Sequence, residues 1–277
     1  MDSRRNVSSN TYPWRTFAKR ESREYDRFGD DLMAGIAEAG FDGWEPIVDT
    51  ADELDGMSAK LDRHGLAMPT VYANSVLHDA ERLRDSITAV HEIARRIADL
   101  GATVLVTNPS PIRWGGDEDK TDEQLRRQAS ALDELGGRCQ SVGVTLAYHN
   151  HDAELRAGAR EFHHMLAGTD PGHVSLCLDA HWIYRGCEDS MVAVTDAVHH
   201  YGHRVVELHL RQSHGGIWDA SFDMSGDIDY RGIFASMDLR GLRPHLVMEQ
   251  AVETGSPDDV GAVEAHRIGL MNLRRAL

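Results

Sequence analysis

The sequence predicts an α/β protein, a single (β/α)8 TIM barrel that spans residues 1–277. The length is close to the roughly 250 residues of such a barrel. Short β-rich runs alternate with helical periodicity along the whole chain, which is typical of parallel strands joined by helices. Polar residues stand at nearly every predicted C-terminal strand end, where a barrel gathers its functional groups. No Pro/Ser-rich linker divides the chain, so we expect one domain.

Eight strands are predicted from short runs rich in β-branched and aromatic residues. Because parallel strands connected by helices all end at the same edge of a sheet, residues that follow these strands should lie near one another. The predicted strands cover residues 7–12, 43–45, 67–72, 103–107, 144–148, 174–178, 205–208 and 246–248.

Two of the intervening helices carry clear end signals. An apolar stripe with helical spacing at residues 87–97 stops at Gly101, as expected of a C-terminal cap. The next helix begins at Thr121, and Gln124 three residues later completes a capping-box pattern. Its apolar stripe runs up to Gly136-Gly137. Both segments are predicted to be packing helices.

An open doubly wound sheet is the alternative to a barrel, and the polar residues favour the barrel. An open sheet binds its ligand near one switch point, usually with a glycine-rich phosphate loop, and this chain has neither GxGxxG nor GxxxxGK[ST]. A barrel instead collects residues from many strand ends. The polar residues at the predicted strand ends are Tyr12, Trp14, Glu45, Tyr72, Asn74, Asn108, His149, His151, Asp179, His209 and Glu249.

Four of these strand ends finish on residues that commonly bind metals: His149, Asp179, His209 and Glu249. Their spacing (149 to 179, 179 to 209, 209 to 249) is roughly one strand-plus-helix unit each time. A lone histidine at a strand end is more often structural, but four independent strands with the right residue type indicate a ring of ligands. Two imidazoles and two carboxylates suit one divalent ion. We expect Mn²⁺ first, with Co²⁺, Zn²⁺, Fe²⁺ or Mg²⁺ as alternatives.

Composition and charge exclude several classes of function. The 29 basic and 45 acidic residues give a net charge of -16, which argues against binding to a nucleic-acid backbone. No apolar stretch approaches the ~20 residues of a membrane span. The three cysteines lack CxxC spacing, which predicts a reducing, cytoplasmic location. A GxSxG element is absent, so a serine hydrolase lacks support.

At these residues the chain resembles the xylose-isomerase-like TIM-barrel superfamily, which includes sugar phosphate isomerases and epimerases and inosose dehydratases. The resemblance covers almost the whole chain, and Tyr148-His149-Asn150-His151 is similar to a Tyr-His-Asn-His subgroup of the sugar and inosose enzymes. Many members have Glu where this chain has His149, so Glu154 is an alternative ligand for that position. The weaker matching segments are Tyr12-Pro13-Trp14, Trp44-Glu45-Pro46 and Gly226-Asp227-Ile228-Asp229-Tyr230.

The resemblance implies a metal-dependent enzyme that acts on a sugar, keto-sugar or cyclitol. It would remove a proton next to a carbonyl through a metal-stabilised enediolate and give isomerisation or epimerisation. A dehydratase or lyase acting on an inosose, 3-dehydroshikimate or a 3-keto-glycoside is the alternative. A non-catalytic sugar-binding or partner subunit is the third reading. The expected partner is the small-molecule substrate, with no nucleic acid and no membrane, and a homo-oligomer is a candidate assembly.

Individual roles follow from side-chain chemistry. His151 is the first candidate for the base, because an imidazole with a pKa near 6.5 suits proton transfer close to neutral pH. Glu45 and Glu154 are the competing acid/base candidates. The predicted substrate-binding residues are Trp14, Asn108, Trp182 and Arg211.

Overall fold

Eight parallel strands form a nearly closed barrel surrounded by helices, which confirms the predicted fold class. This computed structural model describes residues 5–277, so residues 1–4 of the predicted domain lie outside the described residues. Each barrel strand pairs in parallel with its neighbours in the order of the chain. Backbone hydrogen bonds join the segments of the second and third strands and close the ring; among them Trp44 donates to the Ala67 carbonyl and Tyr72 to the Pro46 carbonyl, both at 2.9 Å.

Every predicted strand overlaps an observed one, with ends that differ by a few residues. Two further short strands, which the sequence did not predict, form a hairpin between the seventh and the last barrel strand. The strands are β1 Val7–Asn10, β2 Gly43–Glu45, β3 Thr70–Tyr72, β4 Val104–Thr107, β5 Thr145–His149, β6 Val174–Asp179, β7 Val205–Leu210, β8 Ser213–His214, β9 Ile217–Trp218 and β10 His245–Met248.

Ten α-helices lie among the described residues, and they pack around the barrel. None of those within residues 5–277 has the length and apolar character of a membrane span. The helices are α1 Thr11–Arg20, α2 Asp30–Ala39, α3 Met57–His64, α4 Leu83–Asp99, α5 Asp122–Gln140, α6 Arg156–Ala167, α7 Ala180–Gly186, α8 Met191–Tyr201, α9 Tyr230–Leu239 and α10 Ala262–Arg274.

The first strand, β1, is shorter at its C-terminal end than the prediction. The prediction ran to Tyr12, but the strand ends at Asn10, whose side chain accepts a hydrogen bond from the Tyr12 backbone N–H at 2.6 Å. This is an N-cap, and it turns the chain directly into α1. Trp14 therefore lies in the first turn of a helix and not at a strand end.

The ends of α4 and α5 test the helix signals. Gly101 follows α4 with a left-handed φ of 86°, as the predicted cap requires. The capping box at Thr121 is present. However, α5 continues through Gly136-Gly137 to Gln140. A side chain at Gly136 would collide with the backbone of His173, so this glycine allows the two segments to pack closely and does not end the helix. The glycine pair was therefore wrong as a stop signal.

The hairpin β8–β9 is fixed to neighbouring elements by polar contacts. The Asp227 carboxylate accepts a hydrogen bond from the Gly216 N–H at 2.9 Å, and Arg185 donates to the Gly216 carbonyl at 2.6 Å. Glu253 binds Arg185 and also accepts from the Trp218 N–H at 3.0 Å. These contacts hold Trp218 at the carboxyl end of the barrel.

The close approach of α5 to His173 predicts opposite effects for two adjacent glycines. A methyl group at Gly136 would lie 2.8 Å from the His173 carbonyl carbon and closer still to its oxygen. We expect Gly136→Ala to lower the free energy of unfolding by about 1–3 kcal/mol through overpacking. At Gly137 the nearest His173 atom would be 3.6 Å away. Gly137→Ala should therefore raise the free energy of unfolding by up to about 1 kcal/mol, because alanine favours the helix more than glycine does. Urea denaturation measures the free energy of unfolding of both variants. Equal effects of the two substitutions would contradict the close contact between Gly136 and His173.

Candidate active site

The four predicted metal ligands come together at the carboxyl end of the barrel. One side-chain donor atom from each of His149, Asp179, His209 and Glu249 lies within 4.8 Å of the others. All four side chains are buried. Each stands within one residue of the end of a different strand, namely β5, β6, β7 and β10. Parallel strand ends thus bring residues distant in sequence into one group, which we name the four-donor cluster.

Several atoms of the four-donor cluster lack the partners that buried polar atoms normally have. Both ring nitrogens of His149 and the Oδ2 of Asp179 lack a hydrogen-bond partner within residues 5–277. His149 Nε2 and Asp179 Oδ2 are 3.9 Å apart, too far for a hydrogen bond. The other Asp179 oxygen accepts from the Trp182 N–H at 2.9 Å. Free nitrogen and oxygen donors in this arrangement fit a divalent cation.

Glu249 remains ionised although it is buried. Its Oε2 lies 2.8 Å from Arg211 Nη2 and 3.0 Å from His209 Nδ1. Burial acts to raise the pKa of Glu249, but Arg211 and then His209 outweigh it and lower the pKa to about 2. At neutral pH Glu249 is therefore a carboxylate that can act as a ligand.

Two carboxyl groups contact His209 from the opposite side. Its Nε2 lies 3.0 Å from Glu45 Oε1 and 3.1 Å from Glu207 Oε1. Glu45 is in turn held by Asn10 Nδ2 at 2.6 Å and by the Thr70 hydroxyl at 3.0 Å. Contacts of this kind fix the orientation of an imidazole ligand. Glu45 is fully buried and has partners on both oxygens, and its role as an acid/base candidate stays a prediction.

Glu207 was missed by the sequence analysis, although a signal was present. It precedes His209 by two residues on β7, and alternate residues of a strand share a face, so an inward His209 implies an inward Glu207. The same rule relates Cys177 to Asp179 on β6, and the Cys177 thiol donates to Glu207 at 3.4 Å. Burial, followed by the negative charge of Glu45, raises the pKa of Glu207 to about 8.

His151 lies beside the four-donor cluster and is partly exposed. Its ring centre is 4.7 Å from that of His149, 5.5 Å from Trp182 and 5.2 Å from Trp114. Burial lowers the pKa of His151 to about 4, so its imidazole is neutral at pH 7 and can accept a proton. The predicted base thus adjoins the predicted metal ligands.

Glu154 does not join the four-donor cluster, whereas His149 does, and the assignment of His149 as the metal ligand stays a prediction. The Oε2 of Glu154 accepts the His151 backbone N–H at 2.6 Å. Burial and the nearby Glu161 raise the pKa of Glu154 to about 7. The side chain therefore holds the loop that carries His151.

Arg211 and Trp182 lie next to the cluster, as expected of substrate-binding residues. The guanidinium carbon of Arg211 is 4.9 Å from the Trp182 ring centre and 4.4 Å from that of Trp218. The guanidinium is fully buried, and its Nη1 has no hydrogen-bond partner in the described part of the chain. Asn108 is also buried, but its amide donates to the His149 carbonyl at 3.0 Å and so supports the backbone of β5.

Trp14 lies elsewhere, which corrects its prediction as a substrate-binding residue. Its ring stacks on His266 of α10 with centres 4.4 Å apart, and its Nε1–H donates to the Ser9 hydroxyl at 2.8 Å. Only 5% of the residue is exposed. Because α1 begins at Thr11, the indole points into the packing between helices.

Residues 33–270 match the family model of the xylose isomerase-like TIM barrel. The chain belongs to this family. This agrees with the eight-stranded barrel and with the resemblance found in the sequence.

Individual relatives are distant. An inosose dehydratase of Geobacillus kaustophilus (strain HTA426) is 23% identical over 193 residues, which cover 66% of this chain and 61% of that enzyme. The chain thus matches about three fifths of the relative's length. A sugar phosphate isomerase/epimerase from Parabacteroides distasonis superposes with a TM-score of 0.75 at 16% identity, over 98% of this chain and 94% of that one. The 3-keto-D-glucoside 4-epimerase from E. coli superposes with a TM-score of 0.69 at 15% identity, over 99% of this chain and 100% of that one. At these identities the structures support the fold alone.

The raised pKa of Glu154 predicts a pH-dependent stability. A carboxyl with a folded-state pKa of about 7 contributes stability that is complete below its unfolded pKa and is lost as pH rises through 7. Glutamine keeps an acceptor for the His151 N–H and cannot ionise. In metal-free protein, the gain in unfolding free energy from Glu154→Gln should therefore grow by about 1–3 kcal/mol between pH 5 and pH 8.

Urea denaturation at the two pH values measures this change. Glu118→Gln, at an exposed glutamate, is the matched control and should change the free energy of unfolding by the same amount at both pH values. A gain from Glu154→Gln that does not vary with pH would contradict the prediction.

Proposed function

We propose that the protein is a divalent-metal-dependent enzyme that removes a proton next to a carbonyl of a sugar, keto-sugar or cyclitol and thereby isomerises or epimerises it. The observation that carries this proposal is the four-donor cluster, drawn from four strands, with the neutral His151 beside it. A metal site adjoining a neutral imidazole fits proton abstraction next to a carbonyl.

The metal would be held by His149, Asp179, His209 and Glu249. A divalent ion bound there would polarise the substrate carbonyl and stabilise the negative charge that develops as the proton leaves. The unpartnered atoms of His149 and Asp179 support this assignment. The mixed nitrogen and oxygen set favours Mn²⁺, Co²⁺, Zn²⁺ or Fe²⁺ over an ion that prefers oxygen alone.

The protein's own side chains would transfer the proton and orient the substrate. His151 would accept the proton, since its Nδ1 has no partner within residues 5–277 and its pKa keeps it neutral. Glu154 would keep His151 in place through its backbone N–H. Arg211 would donate from Nη1 to a substrate oxygen, with Trp182 as an adjoining wall.

A dehydratase or lyase is the second candidate, and the Geobacillus inosose dehydratase favours it. The same proton removal would lead to either outcome. Return of a proton to carbon gives isomerisation or epimerisation, whereas departure of a β-hydroxyl or alkoxide gives elimination. A non-catalytic subunit is less well supported, because all four ligand positions hold competent residues.

Loss of either of two ligands should abolish metal retention. We expect His209→Ala and Glu249→Ala each to lose the bound ion, with affinity reduced by at least about tenfold, since outer-shell partners alone are worth that much. Elemental analysis after dialysis measures the metal content. His245→Ala is a control, because it removes an imidazole from the opposite end of β10 and should leave the content unchanged. Full occupancy in both ligand variants would refute the site.

Removal of the proposed base should separate metal binding from proton transfer. We expect His151→Ala to keep its metal and to lose exchange of substrate hydrogen with deuterated water by about 10²-fold or more. The substrates are a panel of ketoses, inososes and 3-keto-glycosides, with products analysed by mass spectrometry. Label without loss of water indicates an isomerase or epimerase, and loss of water or of an alcohol indicates a lyase. Undiminished exchange would assign the base to another residue.

A further inference from the structure

The loops that follow β3 and β4, together with α5, line an open cavity of about 700 Å³. This volume lies within the roughly 300–1,000 Å³ of ligand pockets. Trp114 lines the cavity, and its ring centre also lies 5.2 Å from that of His151, with the two rings nearly perpendicular. The indole therefore forms a wall shared by the cavity and the proposed base.

Trp114 is 54% exposed, in contrast to Trp14 and Trp218, which are packed into the protein. An exposed indole face gains nothing from packing in the free protein. The C–H face of a sugar ring is apolar and flat, so an indole is a suitable surface for it. The exposure of Trp114 is therefore accounted for if a ring-shaped ligand covers it.

The segment that carries Trp114 is fixed to α6. Arg156 donates to the Gly116 carbonyl at 2.8 Å and pairs with Asp119 at 2.8 Å. Lys120 is only 3% exposed and pairs with Glu161 of α6 at 2.6 Å. Burial of an ammonium group is costly unless it is paired, so this contact holds the end of the segment firmly. The indole is thus pre-organised, which lowers the entropic cost of binding.

The polar lining of the cavity offers free donors and acceptors. The side chains of Arg82, Arg113 and Glu118 make no hydrogen bond or ion pair with any described residue. His78 is 7% exposed, and its Nδ1 has no partner in the same part of the chain. Groups of both kinds in one cavity are suited to hydroxyls, which donate and accept.

The charges that line the cavity are balanced, which indicates a neutral ligand. The lining contains three arginines and three carboxylates, so an anion would gain little net attraction. These charged residues are Arg82, Arg113, Arg127, Asp79, Glu81 and Glu118.

We propose that this cavity is a subsite for a second, neutral hydroxylated ring, joined to the ring that reacts over the four-donor cluster. The inference rests on the proposed function and names its substrate class, which is a glycoside or disaccharide in place of a free monosaccharide. Trp114 stacks on the second ring, and Arg113 and Glu118 bind its hydroxyls.

Binding of small sugars to the metal-loaded, full-length protein tests the subsite. Isothermal titration is carried out with D-glucose, cellobiose and D-glucose 6-phosphate. We expect cellobiose to bind at least tenfold more tightly than glucose, a difference of about 1.4 kcal/mol. Arg113→Ala should remove most of this preference and leave the glucose affinity unchanged, whereas Trp114→Ala, which also changes a wall beside His151, should weaken cellobiose binding more than glucose binding. Leu239→Ala, at a residue that is 89% exposed and outside the cavity, should alter neither affinity.

Three results would overturn the subsite. Cellobiose could bind no more tightly than glucose, or Trp114→Ala could weaken both sugars equally, which makes the indole a wall of the reacting site alone. A preference for D-glucose 6-phosphate that disappears in Arg113→Ala would make the cavity an anion site. Deuterium exchange separates this inference from the proposed function. Exchange without a cellobiose preference refutes only the subsite, and the preference without exchange by any of the panel refutes only the enzymatic proposal.

Discussion

The imidazole of His209 joins two layers of buried carboxyl groups, and the candidate active site is organised around it. On one side it meets Glu249, and on the other it meets Glu45 and Glu207. Asn10 binds Glu45 in turn, so the network links β1, β2, β7 and β10 across the barrel. Buried charges without partners cost several kcal/mol each, so these strands must keep their relative positions for the network to remain satisfied. The electrostatics of the site and the closure of the barrel are therefore coupled.

The parts of the site that the sequence predicts well are those set by local signals. His149 and Asp179 end short β-rich runs, and the parallel topology then requires their side chains to meet at one edge. Trp14 was misplaced although a local signal existed. Asn10 is a favourable N-cap and Pro13 falls in the first turn, and together they mark a helix start and not the end of a strand.

The features that the sequence did not predict depend on contacts between distant residues. The hairpin that holds Trp218 is fixed by Arg185 and Glu253, which are 68 residues apart. The position of Trp114 depends on Arg156 in a later helix. Neither contact leaves a periodic pattern in the chain. The surroundings of Glu45 could not be predicted for a related reason, because a residue type does not reveal how deeply the side chain is buried or which atoms surround it.

The side chain of Asn10 makes two unrelated hydrogen bonds, and together they restrict which residues this position can accept. Its carbonyl oxygen caps α1, while its amide nitrogen donates to Glu45. Serine and aspartate are equally good helix caps in general. Aspartate has no proton to donate at neutral pH and would place a second anion against Glu45, and serine is too short to span both partners. A substitution that preserves the start of the helix would thus still disturb the orientation of His209, although the two residues are nearly 200 positions apart in the chain. A planar amide satisfies both demands at once.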